Sequence, residues 1–159
     1  MSEVIENERS NVLYEVIKRI IDIVASFTGL IVLSPLMLVV SILIKLESKG
    51  EVIFKQKRVG LNGKEFYMYK FRSMVINAEE LKAELESQNE MSGPMFKMKD
   101  DPRITKIGKF IRKTSIDELP QLINVIKGDM SLVGPRPSLP KEVEEFETWM
   151  RERLEVKPG

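Results

Sequence analysis

The stretch of sequence that decides the fold is residues 23–44, IVASFTGLIVLSPLMLVVSILI, which lies between Asp22 and Lys45 and carries no formal charge. Sixteen of these 22 residues are Ala, Val, Ile, Leu, Met or Phe. As a helix the stretch would measure about 33 Å at roughly 1.5 Å per residue, enough to cross the hydrocarbon core of a bilayer. The alternative is a buried core helix, but a soluble domain of 159 residues could not cover such a helix on all sides. The sequence therefore predicts contact with a membrane.

A Ser-Pro pair, Ser34 and Pro35, stands in the middle of this stretch. Pro35 has no N–H for the carbonyl of Ile31, and its ring crowds the preceding turn, so a bend is expected there. The Ser34 hydroxyl could bond a freed carbonyl, which would make the break tolerable in lipid. Each half would then be about 17 Å long and would reach only the bilayer midplane.

Basic residues on both sides of the apolar stretch bear on its topology. A spanning helix would place one cluster outside, against the positive-inside tendency, whereas a hairpin keeps both in the cytoplasm. We therefore favour a re-entrant hairpin, and an ordinary kinked spanning helix is the alternative. The predicted membrane-interface residues are Lys18 and Arg19 on the first side; Lys45, Lys49, Lys55, Lys57 and Arg58 follow on the second.

The rest of the chain is typical of a small α/β unit, mostly helical with one β-hairpin. The β-prone runs 52–59 and 65–74 flank Gly60-Leu61-Asn62-Gly63, which predicts the hairpin. Residues 89–102 contain Gly, Pro and Asp-Asp-Pro and are interpreted as a mobile loop. Helices are predicted at 76–88, 103–113, 116–127 (closed by Gly128) and 140–154. The expected organisation is an N-terminal tail (1–13), the membrane anchor (14–48) and a compact cytosolic domain (49–159).

Composition limits the chemistry. The chain has no cysteine and no histidine, which excludes thiolate and imidazole nucleophiles, bases and metal ligands. Catalysis would have to use carboxylates, Lys, Arg, Tyr or Ser, together with a cation that prefers oxygen ligands, such as Mg²⁺. The net charge of +1 creates no global field that selects nucleic acid, so no nucleic-acid partner is expected.

The most informative short segment is SIDELPQ at 115–121. Ser115 followed three residues later by Glu118 has the form of a capping box, which would give Glu118 a purely structural role. Asp117 would lie in the first helical turn, where free N–H groups and the helix dipole keep a carboxylate ionised and attract phosphates. That environment suits a nucleophile or a Mg²⁺ ligand, with Arg112 as a source of counter-charge. Capping does not explain the adjacent acidic pair.

Two further segments supply candidate phosphate contacts. In GPRP at 134–137, prolines restrict the backbone on either side of Arg136, and a preorganised guanidinium suits bidentate phosphate recognition. A rigid turn with a salt-bridged arginine is the alternative. In YKFRSM at 69–74, Lys70 lies on one strand face, although an ordinary amphipathic strand would explain this segment without a function.

Taken together, these segments resemble the bacterial sugar transferase family, the monotopic polyprenol-phosphate phosphoglycosyl transferases, and in particular their small, minimal class. The resemblance covers about residues 14–159. It rests on KR-x-x-D at 18–22, the apolar run with its central Ser-Pro, F-K-Q-x-R-x-G at 54–60, YKFRSM, RKTSIDELPQ at 112–121, N-V-x-x-G-D-M-S at 124–131 and GPRP.

The resemblance implies a function and assigns residues to it. Asp117 and Glu118 would be the catalytic pair, with Asp117 as nucleophile and Mg²⁺ ligand and with phosphates held by Lys70, Arg112 and Arg136. The donor would be a UDP-sugar, the acceptor undecaprenyl phosphate, and the location the cytoplasmic leaflet of the bacterial inner membrane. Sugar 1-phosphate would pass through an aspartyl-phosphosugar intermediate with release of UMP, as the first membrane step of glycan assembly.

One departure from the family concerns the end of the sequence. In the family, V-K-P-G normally continues into a Gly- and Gln-containing stretch, whereas here Val156-Lys157-Pro158-Gly159 is the last segment, so we expect a catalytic domain that is either truncated at its C-terminus or a minimal form. This supports an alternative function, a non-catalytic membrane-anchored protein that binds lipid or nucleotide and organises a glycan-assembly complex.

Overall fold

One long helix dominates the molecule. The computed structural model describes residues 2–85, 98 and 100–159, and helix α1 runs over Ser2–Glu47. Residues 2–13 of the predicted tail are helical and continuous with the predicted anchor. Within the described residues, one helix, over 12–47, is long and apolar enough to cross a membrane, and only 11% of its most apolar part is buried. More than half of the side chain surface is exposed at Phe27, Ile31, Val32, Leu38 and Val39.

The expected helix-break-helix at Ser34 and Pro35 is not seen, because α1 continues through both residues. The Ser34 hydroxyl donates to the carbonyl of Ile31 at 2.7 Å. This is the carbonyl that Pro35, four residues later, leaves without an N–H donor. The side chain therefore replaces the missing backbone bond, and the helix is not interrupted where the sequence predicted a break.

The predicted β-hairpin is confirmed. Strand β1 (Ile53–Val59) pairs antiparallel with β2 (Glu65–Phe71), with Phe54 opposite Lys70 and Val59 opposite Glu65. Asn62 and Gly63 turn the chain with φ values of 55° and 76°, a left-handed conformation that Asn and Gly adopt most readily.

Four short helices follow in the described residues, and three predicted boundaries are corrected. Pro120 separates a 3-10 turn (Ile116–Glu118) from α4, so the predicted helix over 116–127 is two elements. The predicted helix over 140–154 is α5 followed by a 3-10 helix (Thr148–Leu154), and the one over 103–113 starts at 106. Residues 86–88 and most of 89–102 lie outside the described residues. The helices are α2 (Ala78–Leu85), α3 (Lys106–Lys113), α4 (Gln121–Lys127) and α5 (Pro140–Glu144).

The second half of α1 belongs to the core of the following domain. Val40 and Ile44 pack with Phe71 of β2 and Ile111 of α3, and all four side chains are buried. A second cluster joins Met68 of β2 to Val125 and Met130 around the end of α4. Burial of these apolar side chains fixes the hairpin, α3 and α4 against one side of α1.

Charged side chains fasten both ends of the apolar stretch to this domain. Arg19 donates to the carbonyls of Val125 and Ile126 in the last turn of α4, at 2.6 and 2.8 Å. At the other end, Glu47 accepts from the N–H groups of Lys106 and Ile107 in the first turn of α3, at 2.7 and 3.1 Å. Each charge is opposite in sign to the helix end that it meets, which stabilises both contacts.

Lys18 and Asp22 add to the first of these two attachments. Lys18 donates to the Ser131 hydroxyl and, at 3.3 Å, to the carbonyl of Val133. Asp22 accepts from the Ser131 hydroxyl and from the N–H of Leu132, at 3.2 and 3.0 Å. Lys18 and Arg19 therefore contact the protein itself; their predicted position at the membrane interface stays a prediction.

Candidate functional site

Asp117 lies in the 3-10 turn between α3 and α4, at a point where the backbone changes direction. Ser115, two residues earlier, has φ 56° and ψ 15°, a left-handed conformation that is uncommon for a residue with a Cβ. The turn carries the carboxyl group of Asp117 into the protein, where the residue is only 9% exposed. The acid at this position is therefore largely removed from water.

The capping-box interpretation of Ser115 and Glu118 is wrong. A residue that caps a helix N-terminus normally has an extended backbone, whereas Ser115 is left-handed, and within the described residues its side chain makes no capping hydrogen bond. The Glu118 carboxylate instead accepts a hydrogen bond from Lys70 Nζ of β2 at 2.7 Å. Glu118 thus belongs to a charged cluster with Lys70.

Charges from two other elements surround Asp117. Burial raises the pKa of Asp117 above its ordinary value of 3.8; the positive charge of Lys70 opposes this rise, the negative charge of Glu118 adds to it, and Arg112 opposes it. The sequence predicted an ionised carboxylate at a helix end, but a three-residue 3-10 turn has only a small dipole. Desolvation therefore outweighs the favourable charges, and Asp117 protonates at a higher pH than an exposed aspartate.

Lys70 and Arg112 come from two different elements that contact the turn. Lys70 is near the end of β2, and its side chain is mostly buried, while Arg112 lies exposed in the last turn of α3. The packing of α3 and β2 around Ile111 and Phe71 brings these two elements together. Three of the predicted site elements, the acidic pair, Lys70 and Arg112, are therefore neighbours in space.

The sequence analysis missed a buried ion pair near this cluster. The Arg103 side chain donates two hydrogen bonds to the Asp101 carboxylate, from Nε to Oδ1 at 2.9 Å and from Nη2 to Oδ2 at 2.6 Å. The Arg103 side-chain hydrogen bond lowers the pKa of Asp101, burial opposes this, and Arg112 also contributes to the lowering. The sequence predicts a mobile loop over 89–102, which includes Asp101, and a helix that starts at Arg103. An arginine two residues after an aspartate, directly beyond Asp-Asp-Pro, is the signal that could have indicated a fixed turn.

Arg136 lies at the opposite end of the hairpin from Lys70. Ser138, two residues after it, pairs with Val59 of β1, and Pro137 accepts a hydrogen bond from the buried Arg58 at 3.0 Å. Lys70 is opposite Phe54, five residues from Val59, so at ~3.4 Å per residue about 17 Å of strand separates the two positions. Burial and then the nearby charge of Arg136 lower the pKa of Arg58, while Glu142 opposes this. The described structure therefore groups Arg136 with Arg58 and not with the acidic pair.

The carboxylates of Asp117 and Glu118 suit a magnesium ion that takes few protein ligands. Among the described residues, no group of three or more acidic side chains is arranged to hold a metal. Mg²⁺ usually keeps several waters and binds one or two carboxylates together with substrate phosphates. The residues present fit that mode, with Asp117 as the first candidate ligand.

Comparisons with known proteins agree on one family. Residues 13–159 match the family model described as bacterial sugar transferase. The chain is 52% identical over 142 residues to galactosyl transferase CpsE of Streptococcus agalactiae serotype III (strain NEM316), covering 89% of this chain and 31% of the relative. It is 48% identical over 147 residues to the undecaprenyl-phosphate galactose phosphotransferase of Salmonella typhimurium (strain LT2), covering 90% and 31%.

A Bacillus subtilis (strain 168) protein of more similar length is 50% identical over 134 residues, with 84% of this chain and 69% of the relative covered. It is named provisionally as an undecaprenyl-phosphate N-acetylgalactosaminyl 1-phosphate transferase. The chain thus spans about a third of two of these curated relatives and over two thirds of the third.

Proposed function

Because this chain belongs to the bacterial sugar transferase family, we propose that it transfers a sugar 1-phosphate from a UDP-sugar to undecaprenyl phosphate at the cytoplasmic face of the inner membrane. The observation that carries the proposal is the buried carboxyl group of Asp117 beside the cations of Lys70 and Arg112. The names of two relatives, which describe sugar-phosphate transfer involving undecaprenyl phosphate, support the choice of acceptor.

The reaction would take place in two displacements at one phosphorus atom. A carboxylate oxygen of Asp117 attacks the sugar-bearing phosphorus of the UDP-sugar; an O–P bond forms, the P–O bond to UMP breaks, and UMP leaves. An oxygen of undecaprenyl phosphate then attacks the same phosphorus and breaks its bond to Asp117. The products are the diphosphate-linked lipid and a regenerated carboxylate, so the enzyme is unchanged after each cycle.

Attack of one anion on another requires nearby positive charge. Lys70 and Arg112 provide it in a partly dry site, where electrostatic interactions are stronger than in water. Mg²⁺, when bound by the Asp117 carboxylate and phosphate oxygens, would neutralise further charge. Glu118 holds Lys70 by a 2.7 Å bond and so keeps the ammonium group beside the nucleophile.

The attachments of α1 favour a segment that enters the membrane from one face and does not cross it, as the predicted re-entrant topology requires. Arg19 and Glu47, on either side of the apolar stretch, contact α4 and α3 of one domain. If residues 23–44 crossed the bilayer, these two contacts would lie on opposite sides of the membrane, which a single small domain cannot provide. Both ends would then be cytoplasmic, and the exposed apolar side chains of α1 would enter the lipid from that face.

Release of UMP tests the proposed reaction. We expect the protein in nanodiscs with undecaprenyl phosphate and Mg²⁺ to release UMP from at least one UDP-sugar, and EDTA to stop the release. A screen of UDP-sugars followed by UMP detection measures this. Binding of a UDP-sugar without any UMP release would contradict the proposed function and favour the non-catalytic scaffold.

Protease protection tests the proposed topology. Tags placed before residue 2 and after residue 159 are both expected to resist a protease added outside intact cells, and both to be cut after lysis. Cleavage of the N-terminal tag in intact cells, with the C-terminal tag protected, would show a spanning helix. A periplasmic protein with the same tag provides the control for protease access.

A further inference from the structure

Asn124 in α4 replaces a third strand at the outer edge of β2. Its side chain is completely buried, its Oδ1 accepts the N–H of Tyr69 at 3.0 Å, and its Nδ2 donates to the carbonyl of Tyr67 at 2.7 Å. A side-chain amide carries an acceptor and a donor in the same arrangement as a peptide group. The two bonds to alternate residues of one strand are therefore those that a neighbouring strand would make.

The same residue fixes the end of α4. Its backbone carbonyl accepts from the N–H groups of Gly128 and Asp129, at 3.1 and 3.0 Å, where Gly128 closes the helix with φ 91°. Its Nδ2 also donates to the Asp129 carboxylate at 3.3 Å. Asn124 thus joins the edge of β2, the helix α4 and the loop that follows, and its own side chain is completely buried.

These bonds bear directly on the candidate site. Tyr69 precedes Lys70 on β2, and α4 begins four residues after Asp117. The position of α4 along β2 therefore sets how far Lys70 lies from the turn that holds Asp117 and Glu118. The 2.7 Å bond between Lys70 and Glu118 forms in this alignment.

We propose that Asn124 is a positioning residue, whose amide aligns α4 with β2 so that Lys70 faces Asp117 and Glu118. As far as turnover is concerned, the inference rests on the proposed function. It also gives a physical reason for the segment N-V-x-x-G-D-M-S, to which the sequence analysis assigned no role.

The kinetic test uses Asn124→Ser, which removes both strand bonds without adding charge. A misplaced Lys70 is expected to lower kcat at least about tenfold while KM for the UDP-sugar changes little, and the Tyr69 amide should exchange its hydrogen faster. Asn124→Gln keeps an uncharged amide but displaces it by one methylene, so it should also lower kcat, and it serves if Asn124→Ser does not fold. Unchanged kcat in a variant with faster Tyr69 exchange would overturn the proposal.

A double-variant comparison separates positioning from a general loss of stability. If Asn124 acts through Lys70, Asn124→Ser should cost little further activity in a Lys70→Met background. Losses that multiply in the double variant would overturn the proposal. Lys127→Met, which removes another contact between α4 and β2, the 3.3 Å bond to the Tyr69 hydroxyl, is the matched control and should remain near wild-type activity.

A measurement without turnover keeps this test separate from that of the proposed function. If the wild-type protein releases no UMP, the proposed function fails, and the distance between Lys70 Nζ and the Glu118 carboxylate, measured in crystal structures of the wild type and the variant, decides the role of Asn124. This distance is 2.7 Å in the wild type and should lengthen beyond hydrogen-bond range in Asn124→Ser. An unchanged distance would overturn the inference.

Discussion

Asp117→Asn is expected to abolish UMP release and sugar-phosphate transfer, with a loss of at least about a thousandfold, because the nucleophile of the first displacement is removed. Mass spectrometry of the quenched wild-type protein, after incubation with the UDP-sugar and no acceptor, should find an added sugar phosphate on Asp117. The same adduct should be absent from the variant. An adduct on Glu118, or one that persists in Asp117→Asn, would overturn the assignment.

The same substitution should not destabilise the fold. The pKa of Asp117 is raised, so the folded state binds this proton more tightly than the unfolded state does. The contribution of Asp117 to stability therefore falls as the pH rises from the ordinary aspartate value through the raised one. At neutral pH, Asp117→Asn should melt at the same temperature as the wild type or slightly above it, and this difference should disappear in acid.

A matched substitution controls for the change of aspartate to asparagine itself. Asp100 is 79% exposed at its side chain and pairs with the equally exposed Lys109 at 3.4 Å. An exposed pair of this kind contributes little to stability. Asp100→Asn should therefore leave both UMP release and the melting temperature unchanged, and a comparable loss in this variant would show that the effect at Asp117 is not specific.

Lys70→Met is expected to reduce kcat/KM about a hundredfold, the usual scale for the removal of one preorganised electrostatic contact. Lys70 is the first of the two cations that oppose the rise in the pKa of Asp117, so its loss should raise that pKa further. Because the nucleophile must be ionised, activity is lost as the pH falls through this pKa. The acid limb of the pH profile should therefore move to higher pH in the variant.

The acid limb of the pH profile distinguishes an electrostatic role of Lys70 from a purely structural one. An unchanged acid limb with reduced activity would mean that Lys70 does not influence Asp117. Lys57→Met is the control within the same hairpin, since Lys57 forms an exposed pair with Glu65 at 3.1 Å. This variant should keep both the wild-type rate and the wild-type pH profile.

The elements that the sequence predicted correctly depend on local patterns. The length of residues 23–44 and their lack of charge predict a long apolar helix before any folding is considered, and the hairpin follows from β-prone runs around an Asn-Gly turn. The family could be identified because RKTSIDELPQ, GPRP and their neighbours retain both composition and order along the chain.

The errors arose where a local pattern has more than one physical outcome. Ser115 and Glu118 satisfy the spacing of a capping box, but a left-handed Ser115 and the charge of Lys70, 48 residues away, decide against it. Pro35 removes a hydrogen bond, and the neighbouring hydroxyl of Ser34 restores one, so α1 is not interrupted.

What the sequence by itself determined is thus the long apolar segment, the hairpin, the place of the acidic pair along the chain and the family, since each depends on residues close together along the chain. The tertiary structure alone decided that Lys70 and Arg112 meet Asp117, that Arg136 stays with Arg58 at the far end of the hairpin, and that Asn124 completes the edge of β2. The physical reason is that burial and charge act through space. The raised pKa of Asp117 and the attachment of α1 at both Arg19 and Glu47 arise only when distant segments pack together.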